Sequence, residues 1–220
     1  MCGRFVLFTT GESLLDATTA MLHDATVPVR APHGTPPPRY NIAPTTVIPI
    51  VRRSPDASET LLEPARWGLL PHWKTDLSGP PLFNARAETV ATKPSFRTAY
   101  RRGRCVIPLD GYYEWHNKQP YFVRPADSGM LWAAGLWDTG MNQLSATMIT
   151  TEAVEPLAWL HHRLPRFLSP HEIPRWLAGD EDLLHPTEES LVAGLVATPA
   201  DSAVGNVRND YPELLGDQVS

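Results

Sequence analysis

The chain opens Met1-Cys2-Gly3-Arg4-Phe5, and an initiator methionine is normally excised when the second side chain is small. Excision makes Cys2 the first residue, with an amine and a thiol two carbons apart. Such a pair attacks one aldehyde twice, giving first an imine and then a five-membered thiazolidine, which no internal cysteine can form. The ordinary α-amine pKa of about 7.7–8.0 leaves a neutral fraction at physiological pH, and the thiol needs only modest help to ionise. Taken alone, a cysteine at position 2 is more simply an early residue of a buried strand. Glu114 stands among apolar neighbours in Tyr112-Tyr113-Glu114-Trp115, where a carboxylate is costly unless it is ion-paired or moves protons. His161 and His162 titrate near neutrality and can act as acids. On an extended segment adjacent side chains face opposite ways, so spacing leaves both histidines open. Arg97, Arg101, Arg102 and Arg104, interleaved with Phe96 and Tyr100, read either as a local basic patch or as a solvated surface.

The elements that must position these groups are short, because 23 prolines break the 220-residue chain. β-Branched and aromatic runs at 46–51, 104–109, 112–115, 120–123, 130–137 and 145–150 predict strands. Pro49 and Pro108 inside two of them suggest edges or bulges, since proline cannot donate to a ladder. Residues 11–23 gather Leu14, Leu15, Met21 and Leu22 on one helical face around Thr18, with Thr10 available as N-cap. A proline-rich loop is expected over 24–44. Two further helices are expected near 169–178, capped by Ser169 with Trp176 and Leu177 inward, and near 187–195, capped by Thr187. The result is one β-rich α+β domain over 1–220 of mainly antiparallel strands with a few peripheral helices, the last few residues forming a flexible tail.

The formal charge of −5 argues against coating nucleic acid by bulk electrostatics, so any DNA contact must be local. A hydrophobic fraction of 42% is ordinary, and no stretch reaches the roughly 20 apolar residues needed to cross a bilayer. The opening residues lack a secretory pattern, and two cysteines, Cys2 and Cys105, fit reduced thiols in a cytoplasmic protein. Neither the cysteines nor the histidines show zinc-finger spacing.

Several blocks stand in order along the chain: Cys2-Gly3-Arg4-Phe5, Tyr40-Asn41-Ile42-Ala43-Pro44, Arg66-Trp67-Gly68-Leu69-Leu70-Pro71 and Asn84-Ala85-Arg86-Ala87-Glu88-Thr89. Phe96-Arg97, Arg104-Cys105, Gly111-Tyr112-Tyr113-Glu114-Trp115, Thr150, His161-His162-Arg163-Leu164-Pro165 and Val204-Gly205-Asn206-Val207 follow in order. With these blocks the chain resembles, nearly end to end, the SRAP family of abasic-site processing proteins, also labelled SOS-response-associated peptidases. The resemblance implies a β-rich SRAP fold and a substrate, the abasic deoxyribose of single-stranded DNA, whose open form exposes an aldehyde to Cys2. It implies that Asn84 hydrogen-bonds the adduct, that Glu114 is the general acid/base, and that His161, through the His-x-Arg-x-Pro motif, opens the sugar. Arg4, Arg86 and Arg163 are implied phosphate contacts, with Thr150 beside them. Pro44, Trp73 and Trp115 would offer apolar or stacking surfaces to bases.

The chain departs from the family where some members carry two consecutive tryptophans and this one has Trp73-Lys74, so Lys74 would replace a stacking contact with a phosphate contact. Leu164 stands where methionine is common, an apolar swap of small cost. The expected activity is a covalent DNA-protein crosslink by Schiff-base, lyase-like chemistry that shields the lesion during the DNA damage response. It would be carried out by a monomer without metal or cofactor, in the cytoplasm and on the nucleoid when DNA is damaged. The alternatives are a thiol peptidase that removes Met1 with Cys2 as acyl nucleophile, and a non-covalent reader of single-stranded or modified DNA. An N-terminal nucleophile amidotransferase also begins Met-Cys-Gly, but this chain has no partner domain to receive ammonia.

Overall fold

Proline spacing and β-branched runs leave room for one helix of length, and the computed structural model, described over residues 2–22, 27–186 and 190–216, places it at α1 (Gly11–Leu22). Its buried face is Leu14, Thr18, Met21 and Leu22, the face read from the sequence, with Leu15 half-buried against it. His23 lies outside the described residues. The Leu14 amide donates to the Thr10 carbonyl at 3.4 Å, which puts Thr10 at the N-cap position, and the Gly11 amide donates to the Thr35 hydroxyl at 3.0 Å.

Every strand expected from the sequence forms. β1 (Arg4–Leu7) precedes α1; β2 (Val29–Arg30) and β3 (Arg39–Ile42) lie inside the stretch expected to be loop. β4 (Val47–Arg53), β5 (Thr60–Trp67) and β6 (Asn84–Arg86) follow, then the short helices α2 (Ala87–Val90) and α3 (Arg97–Arg102). β7 (Arg104–Leu109) is followed by two hairpins, β8 (Gly111–His116) with β9 (Gln119–Pro125) and β10 (Leu131–Gly140) with β11 (Gln143–Glu152). β12 (Arg163–Pro165), α4 (Glu172–Leu177), α5 (Ser190–Ala193) and β13 (Leu195–Pro199) complete the chain.

The strands form two sheets. In the larger, order β12-β11-β10-β7-β4-β5-β2, a further parallel pairing of β5 with β11 closes five strands into a ring, and β6 adds to β11. The smaller sheet runs β13-β9-β8-β1-β3. Pairing is mainly antiparallel, as expected. Pro49 and Pro108, however, sit in interior strands. They are tolerated because the β4–β7 ladder is registered at Val51–Val106 alone, so neither proline faces an obligatory donor position across that seam.

The period-two alternation of strands gives the smaller sheet two different faces. Phe5, Tyr112 and Val123 bury against the main core with Cys2, Trp67 and Cys105. Val6, Tyr113 and Phe122 bury against a second cluster closed by Val204, Leu214 and Leu215. Gly111 is required where β8 crosses β9, because a Cβ there would lie 2.5 Å from the Phe122 ring. The Asn41 side chain joins two distant sequence blocks. Its amide faces the carbonyls of Val204, Asn206 and Asn209 at 3.1, 3.1 and 2.8 Å, pinning the C-terminal segment over the second cluster.

Two expectations change in the helices. α4 buries Trp176 and Leu177 as expected, but its N-cap is His171, and the Ser169 hydroxyl is buried without a hydrogen-bond partner. Ser169 instead offers its amide to the Glu172 carboxylate at 2.9 Å. Thr187 lies outside the described residues, and the helix that follows covers only Ser190–Ala193, giving way to β13.

Candidate active site

The junction of the two sheets brings together residues scattered along the chain. Cys2 precedes β1 in the smaller sheet and is fully buried. Its carbonyl accepts a hydrogen bond from Asn84 Nδ2 at 2.6 Å, and Asn84 reaches it from β6 on the larger sheet, where it pairs with Met148. The other amide atom, Asn84 Oδ1, is buried without a protein hydrogen-bond partner, leaving an acceptor beside Cys2. Glu114, 4% exposed, comes from β8 on the face that Tyr112 shares with the main core.

Electrostatics ties these groups to one another. Burial first, and the Glu114 carboxylate second, push the Cys2 thiol well above its ordinary value. The same causes act on the Tyr112 hydroxyl, where burial leads and the Cys2 and Glu114 charges add to it. His161 is lowered by burial, with Glu114 pulling the other way. Glu114 is thus the carboxylate that the thiol, the phenol and the imidazole all feel.

His161 and His162 do not face opposite ways. The chain bends at this point instead of running extended, and the two rings stack at 4.2 Å with planes 27° apart. The Arg163 amide donates to His161 Nδ1 at 2.9 Å. The Arg163 carbonyl also lies 3.2 Å from Nδ1, but one nitrogen cannot donate there while accepting from the amide, and the shorter contact makes it the acceptor. A neutral His161 then carries its proton on Nε2.

The arginines differ in what already holds them. Arg86 is exposed on β6, at the mouth of a surface groove that runs from Asn84 past Thr89, Thr92 and Lys93. Arg4 is partly buried and its guanidinium lies against the Gly3 and Gly205 carbonyls at 3.4 and 3.5 Å. Arg163 makes a two-pronged pair with Glu88 at 2.6 and 3.0 Å and donates to the Thr150 carbonyl at 2.6 Å. The Thr150 side chain is buried, with its hydroxyl 3.4 Å from the same guanidinium. Glu88 is held below the ordinary carboxylate range chiefly by its hydrogen bond from Arg163.

The remaining sequence candidates separate by position. Pro44 is partly buried in the turn after β3, and Trp73 is 54% exposed in the loop after β5. Lys74 folds back on that loop, its ammonium 2.8 Å from the Ser78 carbonyl and 3.8 Å from Asp76. Trp115 sits on the face of β8 opposite Glu114 and packs with Tyr40 on the second cluster. The arginine run also divides. Arg97, Arg101 and Arg102 are exposed, whereas Arg104 is buried between the rings of Tyr100 and Trp176, at 4.0 and 4.1 Å. Phe96 and Tyr100 are core residues and not an aromatic surface. Sequence reasoning passed over Glu88, although it stands within the Asn84–Thr89 block, because its partner lies 75 residues away. It also passed over Tyr121 and Trp159, which no block contains.

Known proteins give this arrangement a family. The description "SOS response associated peptidase (SRAP)" matches residues 1–207. Abasic site processing protein YoqW of Bacillus subtilis is 33% identical, covering 98% of this chain and 99% of its own. Abasic site processing protein YedK of Escherichia coli is 32% identical with the same coverage. The chicken abasic site processing protein HMCES is 33% identical over 81% of this chain and 66% of its own. A solved structure from Bacteroides thetaiotaomicron superposes with a TM-score of 0.77 at 20% identity, covering 98% of this chain and 99% of that one, which speaks to the fold. Matched along almost its whole length by the family description and by relatives of this identity, the chain belongs to the SRAP family.

Proposed function

We propose that this chain processes abasic sites in single-stranded DNA by forming a covalent crosslink through Cys2 after Met1 is removed. The observation that carries the reading is the convergence at one sheet junction of Cys2, Asn84 and the Glu114 charge felt by both the Cys2 thiol and His161. The names borne by the relatives support abasic sites as the substrate class.

In this mechanism the Cys2 amine attacks the C1′ aldehyde, forming a C–N bond as the carbonyl π pair moves to oxygen. Glu114 carries the two amine protons in turn to the C1′ oxygen: the first transfer gives the carbinolamine, and the second lets that oxygen leave as water and gives the imine. The thiol sulfur then bonds C1′, the imine π pair moves to nitrogen, and the thiol proton ends there. One water is lost overall. Asn84 positions the Cys2 backbone and offers Oδ1 to the adduct. His161 protonates the ring oxygen as the sugar opens. Arg86 is the phosphate contact open from the start, and Arg4 and Arg163 exchange their present partners for phosphate. The protein acts as a monomer on DNA.

A thiol peptidase, as the family description has it, would use the same Cys2 as an acyl nucleophile. Burial that suppresses thiolate formation weighs against that chemistry. The test is a single-stranded oligonucleotide with one abasic site, analysed by denaturing gel and intact mass. The expected product is protein lacking Met1 plus DNA minus one water, lost on Cys2→Ala and on blocking the α-amine. No product from protein verified to begin at Cys2 would overturn the proposal.

A further inference from the structure

Strand alternation removes Trp115 from the Glu114 face of β8 and leaves a different aromatic group beside it. Residues on that face are Tyr112, Glu114 and His116, and the residue paired directly across from Glu114 is Tyr121 on β9. Both His116 and Tyr121 are capped by Trp159. Its ring stands edge-on to Tyr121 at 5.1 Å with planes 86° apart, and to His116 at 5.4 Å and 66°. Trp159 belongs to the segment between β11 and β12 that leads into His161. Leu157 and Leu160 on either side are buried at 3% and 4%, anchoring the segment, while Trp159 remains 46% exposed.

An exposed indole of this size, braced on two sides by aromatic edges and two residues before a candidate acid, has the attributes of a stacking surface. Bracing fixes the ring before any ligand arrives, so little side-chain entropy is lost on binding. The flanks of an abasic nucleotide offer what such a surface takes, because the missing base unstacks its neighbours and frees their faces. We propose that Trp159, supported by His116 and Tyr121, stacks on the nucleobase next to the abasic nucleotide and so seats the sugar over Cys2 and Glu114. This rests on the single-stranded DNA reading above and adds a positioning residue to it. Stacking on a π face is tolerant of sequence, so the subsite serves any neighbouring base.

The test separates stacking from structural packing and from the covalent step. Non-covalent affinity is measured for a short single strand carrying a tetrahydrofuran spacer, which mimics the abasic sugar but has no aldehyde. Trp159→Leu keeps apolar volume without a π face and is expected to bind roughly 5- to 150-fold more weakly, the span of one base–aromatic stack. Trp159→Phe is expected to retain most of the affinity. Removing the neighbouring base, first on the 5′ and then on the 3′ side, should erase the difference between wild type and Trp159→Leu on one side only. Wild-type affinity in Trp159→Leu would overturn the proposal, as would a loss that persists when both flanking bases are absent. Trp159-dependent binding of the spacer strand by a protein that never crosslinks a true abasic strand would refute the covalent chemistry and uphold this subsite.

Discussion

Glu88 is paired with Arg163, one of the arginines proposed above as phosphate contacts. Arg163 gives both prongs of its guanidinium to Glu88 and keeps a separate hydrogen bond to the Thr150 carbonyl. In Glu88→Gln the shape and the Thr150 anchor remain while the competing charge is lost. Folding should suffer little. The Glu88 side chain is 43% exposed and that of Arg163 10%, so the pair is only partly screened and contributes about 1 kcal/mol, the upper end for exposed pairs. The sign of its pH dependence follows from the depressed pKa of Glu88. Its stabilisation is present above the unfolded carboxylate value and lost as pH falls through the folded one, so the pair is intact at neutral pH. Binding should change more. Each phosphate contact on a single strand contributes a slope of about 0.7 in log affinity against log salt. If Arg163 gains one contact in Glu88→Gln, raising salt from about 50 to about 200 mM costs the variant about 2.6-fold more affinity than it costs wild type. The assay is fluorescence anisotropy with the aldehyde-free spacer strand across a salt series at neutral pH. An unchanged or shallower slope in Glu88→Gln would refute the view that Glu88 restrains a phosphate-binding arginine.

Asn84→Ala deletes the 2.6 Å hydrogen bond to the Cys2 carbonyl and should slow crosslinking roughly 2- to 12-fold at saturating DNA, the equivalent of one net hydrogen bond; single-turnover gels measure it. His161 is lowered from its ordinary value, mainly by burial, so the ratio of wild-type to His161→Gln crosslinking rates should fall as pH rises, with a midpoint below the ordinary imidazole value. Glu172→Ala strands the Arg166 guanidinium, whose side chain is 1% exposed and which now meets Glu172 at 2.6 and 3.2 Å. The expected loss is about 3–5 kcal/mol, or about 6–20 °C in Tm, read by thermal melting with DNA affinity measured on the folded fraction as control.

The sequence by itself determined the strands, the buried face of α1, the inward Trp176 and Leu177, and the residue types of the site. These follow from local causes: periodicity, proline placement and the chemistry of an amine beside a thiol. The parallel contact of β5 with β11 that closes the ring was beyond it, because that pairing joins segments whose local patterns say nothing of each other. β3 was hidden by the prolines before it. Arg104 and Arg101 look alike in sequence, yet one is sandwiched between two rings and the other is exposed, since burial depends on where α4 packs. Strand alternation alone puts Glu114 and Trp115 on opposite faces, but it is the register of β8 against β9 that sets Tyr121 across from Glu114. Only the tertiary structure decided which arginine was already held, which histidine nitrogen bears the proton and which tryptophan stands beside the carboxylate. Each depends on contacts between residues far apart in sequence, and their geometry is set by how the two sheets meet.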